Sequence, residues 1–120
     1  MTLYRKLRVV VFWANTLFTY VSALMPGNMA PTLGSTDKVD HITAFLTLSL
    51  LSRLAYPGRP LWVTGLALSF FGAFIEFSQA IPFIHRDADV MDWVADTAAI
   101  VIGLAATHII EVLAPKLFAR

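Results

Sequence analysis

Within 120 residues this chain carries four apolar stretches of roughly transmembrane length, and few architectures can accommodate them. They run over about 7–25, 39–56, 61–81 and 90–113, leaving only short connections. A helix needs about 20 mostly apolar residues to cross a hydrocarbon core of roughly 30 Å. An open strand in lipid leaves its amides and carbonyls without partners, so helices are the only solution for such stretches. The expectation is therefore one all-α integral membrane domain over 1–120, a four-helix transmembrane bundle. Composition agrees: 58% of residues are hydrophobic and 14% charged, whereas a soluble domain this small has to cover a large surface with polar groups.

The connections differ in kind. Pro26-Gly27 stops the first stretch. Pro57-Gly58-Arg59-Pro60 is a tight turn that makes the second and third stretches an antiparallel hairpin. Residues 27–36 and 82–89 form longer polar loops. Arg5, Lys6 and Arg8 ahead of the first stretch also suit a secretory signal, but the apolar run is long and no small-x-small cleavage pattern follows, which favours an anchor.

Basic residues in short loops orient a membrane protein. Seven of the nine, Arg5, Lys6, Arg8, Arg53, Arg59, Lys116 and Arg120, fall on one side, and Lys38 and Arg86 on the other. Both termini and the tight turn are thus expected in the cytoplasm, with the two polar loops outside. A net charge of +1 without a basic cluster argues against a nucleic-acid partner. The absence of cysteine removes disulfides, thiol catalysis and thiolate metal sites.

The acids show the opposite bias: seven of eight, all but Glu111, map to the outer half. Asp37 and His41 are four residues apart, as are Asp92 and Asp96, and Glu76 and Gln79 are three apart, so each pair shares a helix face. The Asp92–Asp96 face continues through Ala99, Gly103 and Ala106, small residues that suit a helix–helix interface, and Gly65 and Gly72 stand in a similar relation to Glu76. An acid facing hydrocarbon costs about 2.5–3.5 kcal/mol at mid-membrane and less near the ends. The economical arrangement gathers Glu76, Asp92 and Asp96 around His41, Lys38 and Arg86 in an outward-opening pocket. Asp37, Lys38, His41, Glu76, Gln79, Arg86, Asp92 and Asp96 are the candidate ligand-binding residues. Asp87 and Asp89 read as solvated loop residues, and His85 and His108 as structural. Arg53 is expected to snorkel to the interface with Glu111 as its partner, and Asn15 to hydrogen-bond between helices.

In order and spacing these residues resemble the VanZ-like membrane proteins. The elements are Asp37-Lys38-Val39-Asp40-His41, Phe45, Glu76-Phe77-Ser78-Gln79, Pro82, Arg86, Asp92 and Gly103. The match spans roughly 37–103, and helix one agrees by position only. Asp96 departs from the pattern, standing where that family usually has Asn; an ionised Asp only accepts hydrogen bonds, whereas Asn also donates. The family takes its name from a protein associated with resistance to the glycopeptide teicoplanin. The resemblance implies a protein of the bacterial cytoplasmic membrane and extends the expectation to glycopeptide susceptibility.

Three functions stand open. The pocket can bind or modify a cell-envelope component, with Lys38 and Arg86 holding a lipid-linked or anionic group. The chain can be a membrane-embedded enzyme using His41 and carboxylates as acids and bases, or through a divalent metal held by one imidazole and two or three carboxylates. No HExxH or Gly-x-Ser-x-Gly motif fixes a reaction, a metal or a cofactor. Lastly, the polar cluster can simply lock the helices of a structural or partner-binding subunit. Transport is disfavoured in a single copy, since no inverted repeat or broken-helix pair is visible.

Overall fold

This computed structural model describes residues 2–25, 37–84 and 88–120, with every side chain in those ranges except those of Asp37 and Phe83. Four long helices, α1 (Leu3–Leu24), α2 (Asp37–Ala55), α3 (Leu61–Gln79) and α4 (Val90–Leu113), account for most of them, and no strand occurs among the described residues. Short 3-10 turns lie at Pro82–Ile84 and Pro115–Phe118. At 1.5 Å per residue α1, α3 and α4 are about 33, 29 and 36 Å long, and these three are long and apolar enough to cross a membrane. The fourth expected span, α2, falls short of that composition because it opens with Asp37-Lys38-Val39-Asp40-His41 and carries Arg53 in its last turn. It packs against α1, α3 and α4, so much of its polar surface meets protein.

Local chemistry sets the helix ends. Thr2 caps α1, its hydroxyl accepting from the Arg5 N–H at 3.2 Å, and Leu3 therefore begins the helix four residues before the apolar run. The basic residues read as a flank are thus helical. At the other end Met25 is extended (φ −66°, ψ 146°), the conformation favoured before a proline. Gly58 turns the α2–α3 connection with φ +88°, a value that side-chain-bearing residues rarely adopt. α3 stops at Gln79, two residues short of expectation, because Pro82 disfavours helix at Ile81 and the chain tightens there, Ile81 N–H reaching the Ser78 carbonyl.

The buried faces follow helical spacing. On α2 they are His41, Phe45, Leu48, Ser49, Ser52, Arg53 and Ala55; on α4 they are Asp92, Asp96, Ala99, Ile100, Gly103, Leu104 and Thr107. Ala106, expected to complete the small-residue stripe, is exposed, and Thr107 takes the inward position instead, its hydroxyl bonded to the Gly103 carbonyl at 2.7 Å. Phe45, Leu48, Ile75 and Ile100 form the fully buried apolar centre. The outer surface is the reverse of a soluble protein's: Leu17, Phe70, Phe77, Ile102 and Leu113 are all exposed, Phe70 by 75%.

The two ends of the molecule carry different polar systems. At one end the N-terminal turn of α1 meets the C-terminal segment, where Arg8 donates to the Leu117 carbonyl at 2.6 Å and to that of Ala119. Arg53 lies at the same end. It is buried, not snorkelling, and donates through Nε and Nη2 to the two Glu111 carboxylate oxygens at 2.6 and 3.1 Å, and through Nη1 to the Arg59 carbonyl. The expected partnership with Glu111 is therefore present. Asn15, expected to bridge helices, is half-buried, and its amide makes no hydrogen bond among the described residues.

Candidate functional site

The first turns of α2, the last turns of α3 and the first turns of α4 meet at the end of the molecule opposite Arg53. Since α3 runs antiparallel to α2 and α4, its C-terminal residues Glu76 and Gln79 arrive beside the N-terminal residues of the other two. Asp92 and Asp96, about 6 Å apart along α4, present one face at two depths. Gly72 lets that face come close to α3: a Cβ there would lie 3.3 Å from Asp96 Oδ2 and 3.5 Å from Phe45 Cζ.

Polarity grades inward. Nearest the surface, half-exposed Lys38 reaches Asp89 at 3.4 Å and buried Asp92 at 2.9 Å. Deeper, His41 Nδ1 lies 3.1 Å from Asp96 Oδ1, with the histidine nearly and the aspartate wholly buried. Between them Glu76 Oε2 accepts the Asp89 backbone N–H at 3.0 Å, while Glu76 Oε1, also buried, has no hydrogen-bond partner among the described residues. One nitrogen of His41 and one carboxylate oxygen each of Glu76 and Asp92 all fall within 4.8 Å of one another.

Of the eight candidate residues, Lys38, His41, Glu76, Asp92 and Asp96 come together. Gln79 turns to a different partner; its amide nitrogen donates to the Ala23 carbonyl at 2.8 Å, tying α3 to the end of α1, and its Oε1 is buried without a partner among the described residues. Arg86 and the Asp37 side chain lie outside the described residues. Lys38 is already neutralised by two aspartates, so it does not offer an anionic ligand an unpaired ammonium.

Asp89 is the residue that sequence reasoning undervalues. It is half-exposed, yet it caps α4 through Oδ1 on the Met91 N–H at 2.9 Å, pairs with Lys38 and donates its own N–H to Glu76. The available signal is its position immediately before an apolar run, where Asp is a preferred cap. The Met91 N–H, and then the Lys38 ammonium, hold its carboxyl below the ordinary carboxylate range. Its stabilising contribution is therefore present above the unfolded carboxylate range and fades as pH falls through the lowered value. Asp89→Ala should lower the melting temperature in detergent by several degrees, and Asp89→Asn by much less, because Asn caps as well as Asp. Equal melting temperatures for the two variants would show that the cap is immaterial.

A polar concavity of about 340 Å³ lies at the Arg53 end and is lined by Arg5, Tyr56, Pro57, Gly58, Arg59 and Arg120. Its arginines, Arg5, Arg59 and Arg120, are among the seven basic residues that share one side of the sequence pattern.

No family model matches this chain, and comparison with curated proteins and with solved structures yields no match.

Proposed function

We propose that this chain is a bacterial cytoplasmic-membrane protein, crossing the bilayer with all four helices, whose Lys38–Asp96 cluster forms an outward-facing pocket that binds a cell-envelope component. The observation that carries this reading is Glu76, a carboxylate nine-tenths buried between helices whose outer surfaces are apolar, with one oxygen lacking a donor among the described residues. Buried polar atoms are nearly always paired, and an exception calls for a missing partner or a functional cause. Ionisable groups at membrane depth mark functional sites by default. The pocket's chemistry favours a donor-bearing ligand such as a hydroxyl- or amine-rich envelope precursor. The resemblance to VanZ-like proteins supports the same compartment, and the excess of basic residues at the Arg53 end supports a cytoplasmic location for that end.

An enzyme is the second reading, favoured by the His41–Asp96 pair. A carboxylate on Nδ1 fixes an imidazole's tautomer and orientation, as a general base requires.

The chain has no cysteine, so single cysteines report topology cleanly. An impermeant maleimide should label Ala88→Cys in intact cells, and Arg59→Cys only after permeabilisation. In the same cells, Glu76→Gln should insert normally yet lose the envelope phenotype, read as glycopeptide susceptibility. Reversed labelling would sink the orientation. An unchanged susceptibility difference between cells with and without the Glu76→Gln chain would sink the pocket.

A further inference from the structure

The geometry points to a divalent transition-metal site at the inner part of the pocket, with His41, Glu76 and Asp92 as its protein ligands. It rests on the pocket reading in one respect only, that the metal's remaining coordination position is available to the envelope ligand.

Three observations converge on it. The first is the donor set. One imidazole nitrogen and two carboxylate oxygens, contributed by three different helices, lie within 4.8 Å of one another, and all three residues are buried. A point therefore exists within about 2.8 Å of all three atoms, the circumradius of an equilateral triangle of that side. Zinc bonds to nitrogen and oxygen ligands are about 2.0–2.2 Å, so each donor has to close by at most about 0.6–0.8 Å, within reach of a rotamer adjustment.

The second observation is Glu76. Its Oε2 takes a backbone N–H, and its Oε1 is buried with no donor among the described residues. Lys38, the nearest described ammonium, is occupied by Asp89 and Asp92. Leaving a buried carboxylate oxygen unsatisfied costs free energy, and a cation relieves that cost for Glu76 and Asp92 together.

The third is Asp96. Metal-ligating histidines almost always give their other ring N–H to a carboxylate, which fixes the tautomer and strengthens the ligand. Asp96, wholly buried on the next turn of α4, sits 3.1 Å from His41 Nδ1. If that nitrogen donates to Asp96, the ring's lone pair lies on Nε2, and Nε2 is then the nitrogen that would bind the metal. An ionised carboxylate at position 96 accepts the imidazole N–H more strongly than an amide oxygen would.

One imidazole with two carboxylates suits zinc or manganese better than copper(I), which prefers sulfur, or calcium, which prefers oxygen alone. Three protein ligands leave a four-coordinate zinc one open position, the arrangement of sites that bind or activate a ligand and not of purely structural ones.

The test uses the full chain in mild detergent, stripped with a chelator and reloaded with zinc, or with cobalt(II) as a visible-absorbing probe. Wild type should take up about one ion per chain, and cobalt should give d–d absorption of a nitrogen- and oxygen-ligated ion. Glu76→Gln and His41→Asn should bind at least 100-fold more weakly, and Asp96→Asn about 10- to 100-fold more weakly, as loss of a supporting carboxylate does elsewhere. His108→Asn, an exposed histidine away from the cluster, should bind like wild type. The wild-type measurement stands even if a variant folds poorly. No zinc or cobalt uptake by wild type, or equal uptake by wild type, Glu76→Gln and His41→Asn, would overturn the site. If metal fails to bind while Glu76→Gln still loses the envelope phenotype, the metal inference falls and the pocket reading stands. If metal binds as expected while that phenotype is unaffected, the inference stands and the pocket reading falls.

Discussion

Glu111→Leu should destabilise the protein in detergent by about 3 kcal/mol, the low end of the cost of stripping one partner from a buried ion pair, since the Glu111 side chain is itself 19% exposed. Arg53 is 5% exposed, and its guanidinium forks onto both Glu111 oxygens at 2.6 and 3.1 Å. Without that carboxylate a full positive charge remains among apolar helices, where the attraction that offset its desolvation is gone. Replacing both partners tells a different story. Buried ion pairs often exchange for apolar residues at little net cost, because both desolvation penalties vanish together. Arg53→Leu/Glu111→Leu should therefore recover most of the loss. Recovery will be incomplete, since Arg53 also donates to the Arg59 carbonyl and so ties α2 to the turn that leads into α3. Melting curves of both single variants and the double variant decide the matter through the coupling energy. A double variant as unstable as Glu111→Leu would show that the pair does not behave as one unit. A Glu111→Leu protein as stable as wild type would show that Arg53 reaches solvent after all.

The same residues show how far sequence alone carries. Arg53 and Glu111 fall at the same end of α2 and α4, so their pairing is legible from helix length. Whether Arg53 reaches water depends on what the turn at Arg59 places above it, and no spacing rule contains that. Four helices are legible because each is a predominantly apolar run between prolines, glycines or polar loops. Their ends are less so. Leu3 starts α1 because a threonine caps it, and Gln79 ends α3 because a proline three residues on disturbs the last turn. The convergence of Glu76, Asp92 and Asp96 with His41 and Lys38 follows from the cost of facing acids toward hydrocarbon. Spacing does not resolve Ala106 from Thr107. A 3.6-residue period carries the Asp92 face to a point between them, and the packing of α4 on α2 makes the choice. Asp89 escapes notice for a different reason: its link to Glu76 runs through its backbone N–H, which every residue but proline has and which leaves no trace in a side-chain pattern.

That packing of α4 on α2 also gives the sharpest steric prediction. A Cβ on Gly103 would lie 2.8 Å from Ser49 Cβ and 2.9 Å from its Oγ. Ser49 is fully buried, and its hydroxyl is bonded to the Phe45 carbonyl at 2.7 Å, so a rotamer change does not clear the space. A Cβ also cannot rotate away from its own backbone; the helices themselves have to separate. Gly103→Ala should consequently cost about 1–3 kcal/mol, the range for overpacked cores, despite alanine's advantage over glycine within a helix of about 1 kcal/mol. Gly65 offers the contrast on α3. A Cβ there meets only Leu104 Cδ1 at 3.4 Å, the far end of a flexible side chain. Gly65→Ala should be neutral or slightly stabilising, since helix propensity meets little steric opposition. Removing the obstacle identifies the cause: Ser49→Gly deletes both atoms that the added methyl group would strike, so Gly103→Ala/Ser49→Gly should be more stable than the sum of the two single effects implies. Strain at this crossing should also reach the pocket. Gly103 lies two turns along α4 from Asp96, and Ser49 about two turns along α2 from His41, so splaying these helices lengthens the 3.1 Å His41–Asp96 contact. An upfield or downfield change in the His41 ring resonances, seen in Gly103→Ala and reversed by Ser49→Gly, would establish that the small residues at the middle of α4 set the geometry at its N-terminal end. Additive stability effects with unchanged resonances would confine the role of Gly103 to packing.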